Sequence, residues 1–172
     1  MKFSFADPWL KRPSTVVSVN LPEEMKVLAQ EIAKIPNQRE ALKYVYSTLS
    51  EKYRGYRILT FLRLDRFLIT DIGKLWRIQG FLHCNHMNYL LRTLLLASGK
   101  FSPEAIEAKW TQIWLFSPHQ YLVITLENGE RVEVDLWGKA YGVPFGSHAH
   151  GFHGGHYLNN TRYSYKEKRS VR

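Results

Sequence analysis

Between residues 22 and 53, apolar side chains recur at helical spacing. Met25, Leu28, Ala29, Ile32 and Ile35 form one stripe, with Pro22 suited to a first turn and Glu23 and Glu24 near its positive end. Asn37, with Glu40 three residues later, predicts the start of a second helix. Its buried face is expected to be Leu42, Val45, Tyr46, Leu49 and Tyr53. A third helix is expected to begin near Cys84, carry the stripe Met87, Leu90, Leu91, Leu94 and Leu95, and stop at Gly99. The period then changes to two. Lys109–Phe116, His119–Leu126 and Arg131–Trp137 read as strands, the last two joined around Asn128-Gly129. Residues 56–78 are apolar and basic together, and neither period prevails there.

Helices followed by strands make the fold class α+β, with N-terminal helices packed on a small antiparallel sheet. A single domain is expected over residues 1–145, its first 20 residues an irregular arm. Residues 146–172 are rich in His, Gly and basic side chains, and a flexible tail is expected there.

The hydrophobic pattern also selects a hairpin register. A two-residue turn at Asn128-Gly129 sets Asp135 opposite Leu122, on the face away from His119. A three-residue turn, Glu127-Asn128-Gly129, sets Asp135 opposite Tyr121 instead. A one-residue slip exchanges the two faces of a strand. Only the longer turn gathers Leu122, Ile124, Leu126, Val132, Val134 and Leu136 on one face. The other face then carries His119, Tyr121, Val123, Thr125, Arg131, Glu133 and Asp135. The three-residue turn is therefore expected, with Gly129 in the left-handed conformation.

At 172 residues and 45% apolar composition, the chain is long enough for one domain with a core of its own. One cysteine excludes an internal disulfide and any thiolate-rich metal cluster. There is no apolar h-region at the N-terminus and no run of about eighteen apolar residues. A cytoplasmic protein that does not engage the membrane is expected. The net charge of +9 is uneven. Lys52 to Arg77 holds seven Lys/Arg against Asp65 and Asp71, and the segment from Gly146 onward holds five against Glu167. Nucleic-acid binding is not expected from it, because the aromatics are scattered rather than interleaved with the charge.

Candidate chemistry begins at Cys84, in GFLHCNHMNYLLRTLLLASG. A lone intracellular cysteine is most often a small buried hydrophobe. A helix start, however, carries partial positive charge, which suits an attacking thiolate. Such a nucleophile needs a base. His83 and His86 are poorly placed for that, being one and two residues away on a helix. His119, with Asp135 on the same face, supplies an imidazole and an orienting carboxylate.

These segments, GFLHC with its helix and then HQYLVITLENGERVEVDLWG, resemble the transglutaminase-like core, a relative of the papain-like fold, over roughly residues 37–138. The resemblance implies a nucleophile at Cys84, a base at His119 and an orienter at Asp135. Gln120, Leu136 and Leu82 depart from the family's usual residues at their positions. The implied activity is that of a cysteine peptidase or amidase, or a transglutaminase-like acyltransferase. It acts on a protein or peptide substrate through an acyl-thioester, without a cofactor. Hydrolysis is favoured, since no dedicated second-substrate domain is evident. The Cys84 backbone N–H is one expected oxyanion donor, and Gln79 and Trp76 are side-chain candidates.

Two rival readings stand beside it. One is a non-catalytic basic module on the same scaffold, binding nucleic acid or an acidic partner. The other is a metal site built from His148, His150, His153 and His156 in SHAHGFHGGH, whose interleaved glycines leave no preset geometry.

Overall fold

The computed structural model describes residues 20–113, 117–151, 155–158 and 161–163. The first helix, α1 (Glu23–Lys34), follows Pro22 and buries Met25, Leu28, Ala29 and Ile32. The second, α2 (Gln38–Lys52), is capped as expected. The Asn37 side chain accepts hydrogen bonds from the backbone N–H groups of Arg39 (2.8 Å) and Glu40 (3.2 Å), satisfying donors that the first turn leaves without partners. Its buried face is Ala41, Leu42, Val45, Tyr46 and Leu49.

The stretch 56–78, where no period prevails, breaks into short pieces. These are α3 (Arg57–Leu62), a 3₁₀ turn over Leu64–Leu68, and α4 (Ile72–Arg77), which Asp71 caps through the Lys74 N–H at 2.7 Å. No residue of α3 is buried, and six residues are too few for a helical period to stand out. Two short strands, β1 (Tyr53–Arg54) and β2 (Gly80–Phe81), pair in parallel and join the end of α2 to the approach to the next helix. That helix, α5 (Cys84–Ala97), begins at the thiol and is followed by Gly99 at φ 71°.

The main sheet is antiparallel, in the order β3 (Ile106–Ile113), β4 (Ser117–Thr125), β5 (Arg131–Val134). The first strand starts three residues before its expected position at Lys109, and residues 114–116 lie outside the described residues. The last ends earlier than expected, because the Asp135 side chain accepts the Gly138 N–H at 2.7 Å and turns the chain away from the ladder.

The hairpin takes the three-residue turn. Leu122 pairs with Val134, and Thr125 with Arg131. The Leu126 N–H donates to the Glu130 carbonyl at 2.8 Å, with Gly129 at φ 82°. Leu122, Ile124, Leu126, Val132, Val134 and Leu136 are all buried, and they join Leu90, Leu91 and Leu94 of α5 in one core. Leu136 is at the end of this face.

The start of the expected C-terminal tail packs on the fold. A tail was expected over residues 146–172; within it Ser147 and Ala149 are buried, while residues 152–154, 159–160 and 164–172 lie outside the described residues. A second sheet is formed by β6 (His148–His150), β7 (Gly155–Leu158) and β8 (Thr161–Tyr163). It is tied to β3 by the Gly151 N–H, which donates to the Gln112 carbonyl at 3.0 Å. The polar face of the main sheet is what this strand covers, a contact between segments that no local period announces. Among the described residues, no helix is long and apolar enough to cross a membrane.

Gly129 has nothing within 4 Å of a built Cβ, so its requirement is conformational rather than spatial. Gly129→Val is expected to lower stability by about 1–3 kcal/mol. Gly129→Asn should lower it distinctly less, because Asn tolerates left-handed φ. Urea midpoints of the two variants against the parent check this.

Candidate active site

The sulfur of Cys84 stands at the first residue of α5, where N–H groups lack intrahelical acceptors. Cys84 is half-buried and unbridged. The register of β4 and β5 brings His119 and Asp135 onto a common face, both 1% exposed. The His119 Nε2–H donates to Asp135 Oδ2 at 2.8 Å, which leaves Nδ1 for the thiol. Cys84 lies close enough to help raise the His119 pKa, and both side chains line one cleft.

The Asp135 carboxylate is a junction. Oδ1 accepts the Gly138 N–H at 2.7 Å, while Oδ2 accepts the Ala149 N–H at 2.9 Å as well as the imidazole. A buried charge needs such partners. Burial by itself would push the His119 pKa down. The carboxylate beside it, its hydrogen bond, and the thiol together prevail, and the pKa is raised to about 10. Burial likewise opposes ionisation of Asp135. The imidazolium and the two backbone N–H groups overcome it and hold the carboxyl below its ordinary range.

Aromatic packing fixes the imidazole from the side. The Trp137 ring lies 5.2 Å from that of His119, and Tyr141 stacks on Trp137 at 5.0 Å. The Tyr141 hydroxyl accepts the Arg57 N–H at 2.8 Å, which connects α3 to this layer. Gly55 passes so close to Trp137 that a Cβ there would overlap both its carbonyl oxygen and its ring.

His83 and His86 turn into the protein rather than toward a role as base. The His83 ring is 2.9 Å from the Arg63 carbonyl through Nε2 and makes edge contacts with Phe81 and His86. Burial first, and then the proximity of His83, lower the His86 pKa to about 4. Burial also lowers that of His83, although its ring borders the cleft.

The side-chain oxyanion candidates are not brought to the cleft. The Trp76 indole N–H donates to Glu24 of α1 at 2.6 Å, and the Lys52 ammonium sits 3.6 Å from the ring centroid. Gln79 is exposed between α4 and β2. Neither residue lines the cleft. The Cys84 backbone N–H remains as the donor at the thiol.

Two of the four clustered histidines have described side chains. His148 Nδ1 lies 2.7 Å from Glu133 Oε2, and its ring stacks flat on Tyr121 at 4.0 Å. His150 Nδ1 meets the Thr111 hydroxyl. Both rings are engaged with the main sheet, and among the described residues no group of three or more His, Cys, Asp or Glu could hold a metal. His153 and the side chain of His156 lie outside the described residues.

The rest of the lining was not foreseen. Arg57, Thr60 and Phe61 come from α3, Ile113 from β3, and Ser117 and Pro118 from β4. One anchor had a local signal: Gly138 follows Asp135 by three residues, a spacing at which an Asp side chain caps a turn. Ala149 had none. No family model matches the chain, and comparisons with curated proteins and with solved structures find no match.

A Cβ built at Gly138 falls 2.5 Å from Asp135 Oδ2 and 2.8 Å from its Cγ. Gly138→Ala is therefore expected to displace the carboxylate and destabilise the fold by about 1–3 kcal/mol. The His119–Asp135 pair also predicts a pH dependence. Because the His119 pKa is raised to about 10, its contribution is whole below about 6.5 and is lost as pH rises through the folded value. On the acid side, Asp135 is lowered, so the same pair is lost as pH falls through the carboxylate range. Asp135→Asn should reduce the fall in stability between pH 6.5 and 10 by about 1 kcal/mol or more. Urea unfolding at the two pH values measures it.

Proposed function

We propose that the chain is a thiol-dependent enzyme acting on amide bonds, with a transglutaminase-like or papain-like arrangement of Cys84, His119 and Asp135. One observation carries this reading. A buried His119–Asp135 pair engages the single thiol where the start of α5 and a cleft meet. A structural cysteine requires none of that apparatus.

The chemistry follows from the protonation states. The carboxylate keeps His119 protonated at neutral pH, so the imidazolium can give a proton to a departing amine. The thiolate attacks the amide carbonyl carbon, and the oxyanion forms near the Cys84 N–H. Collapse breaks the C–N bond, and the departing amine takes the proton from His119 Nδ1. The product is an acyl-thioester and a neutral imidazole. Water then gives a proton to His119 as its oxygen adds to the thioester, and the thiolate leaves. An amine in place of water gives transfer rather than hydrolysis. Hydrolysis is the favoured outcome, with a protein or peptide as substrate and no cofactor.

The basic-module reading has less support. In the Lys52–Arg77 segment, Arg63 is held by Asp65 at 2.9 Å, Arg66 by the Phe81 carbonyl, Lys52 by Trp76, and Arg57 by the Tyr141 ring. These four cations already have partners, while Arg54, Lys74 and Arg77 of the same segment are exposed.

Iodoacetamide alkylation tests the pairing without a known substrate. At pH 7, His119→Ala should slow modification of Cys84 by about tenfold or more, and Asp135→Asn should slow it in the same direction. Equal rates in parent and His119→Ala would remove the main support for a catalytic thiol. Cleavage of dimethylcasein against incorporation of monodansylcadaverine separates hydrolysis from transfer.

A further inference from the structure

A run of exposed apolar side chains among the described residues adjoins the thiol. Among the described residues, eight large apolar side chains are exposed, and six of them lie in the single segment Tyr56–Leu68. Ile58 is 61% exposed, Phe61 51%, Leu62 70%, Leu64 59% and Leu68 82%. Concentration of this kind marks a binding surface, whereas isolated exposed residues do not.

Its position relates it to the cleft. Ile58, Phe61 and Leu62 stand at i, i+3 and i+4 on α3, and so share one helix face. Phe61 also lines the cleft that holds Cys84 and His119. The exposed face is thus an outward continuation of the cleft wall. The cleft itself is largely apolar, with Phe61, Ile113, Pro118 and Trp137 in its lining and no carboxylate among the described residues there. The departing amine must sit against His119, and so against β4, which leaves α3 to carry the acyl portion of a substrate.

We propose that this α3 face is a substrate-binding shelf, which selects polypeptides with large apolar residues on the acyl side of the reacting amide. The proposal rests on the thiol-enzyme reading above. It is favoured over an anionic lipid surface because the flanking cations already have partners within the chain. Arg63 is paired with Asp65, Arg66 with the Phe81 carbonyl, and Arg57 with the Tyr141 ring. A headgroup-binding face would present them.

Three reagents test it on the full chain, with modification of Cys84 followed by mass spectrometry. Acetyl-Leu-Leu-Phe chloromethyl ketone and acetyl-Ala-Ala-Phe chloromethyl ketone share the residue at the thiol and differ only in the flanking residues. In both, the sulfur displaces chloride. Iodoacetamide reports thiol reactivity alone. The expected result is a preference of about tenfold or more for the Leu-Leu reagent, the range that apolar burial supports. Ile58→Gln/Leu62→Gln, which alters exposed residues outside the cleft lining and keeps helix propensity, should cut it below about threefold and leave the iodoacetamide rate unchanged. Equal rates of the two ketones in the parent, or a preference that survives in the double variant, overturn the shelf. If iodoacetamide labelling still depends on His119 in that case, the thiol reading stands. If that dependence is absent, the underlying reading fails instead. Cosedimentation with phosphatidylserine vesicles, or a concentration-dependent dimer, lost in the double variant would reassign the face to lipid or to a second copy and overturn the proposal.

Discussion

A carboxylate with 1% exposure is the constraint around which the functional end of this molecule is arranged. Asp135 loses the hydration that would otherwise stabilise its charge, and the loss must be made good by donors. Three are present: the His119 ring, the Gly138 N–H and the Ala149 N–H. Each belongs to a different part of the chain. The imidazole comes from β4, the first N–H from the turn after β5, and the second from β6. One buried charge therefore ties three segments together, and the same bonds that satisfy it hold the imidazole protonated.

The main sheet shows what that arrangement required. An antiparallel sheet commonly buries one face and leaves the other in water. Here the aliphatic face packs with α5, and part of the polar face is covered as well. The β6 strand lies over it, with His148 on Tyr121 and Glu133, and His150 on Thr111. Coverage excludes water from the His119–Asp135 pair, which strengthens it. Close approaches on the other side leave no room for side chains at Gly55 and Gly138. A histidine-rich tract that reads as a metal ligand set acts in the described residues as a packing and hydrogen-bonding cover.

By contrast, α3 has no buried residue, although it supplies a wall of the cleft. Its apolar side chains face solvent at the rim, and its attachment to the fold runs through polar and aromatic contacts at Arg57 and Tyr141. This segment contributes little to the core, yet keeps large apolar residues at the surface. The neighbouring His83 and His86 rings, kept neutral by burial, anchor the start of α5 beneath it.

Much of this was legible from period alone. The stripes of α1, α2 and α5 were read from apolar spacing, and the hairpin register followed from the alternation of six aliphatics with polar residues. Register placed His119 and Asp135 on one face, so the candidate site was legible wherever strand alternation and helix starts determine it. Those are local properties, set by the 3.6- and 2-residue periods of the backbone. Tertiary structure decided the rest. Trp76 looked available as a donor until packing gave its N–H to Glu24, fifty-two residues away in sequence. Residues 147–151 looked like a tail until their backbone found Asp135 and β3. Backbone N–H groups are the same at every position, so no residue type announces which of them a distant carboxylate will take. The chain's pattern determined its elements and their faces; only their packing decided which groups were left facing the thiol.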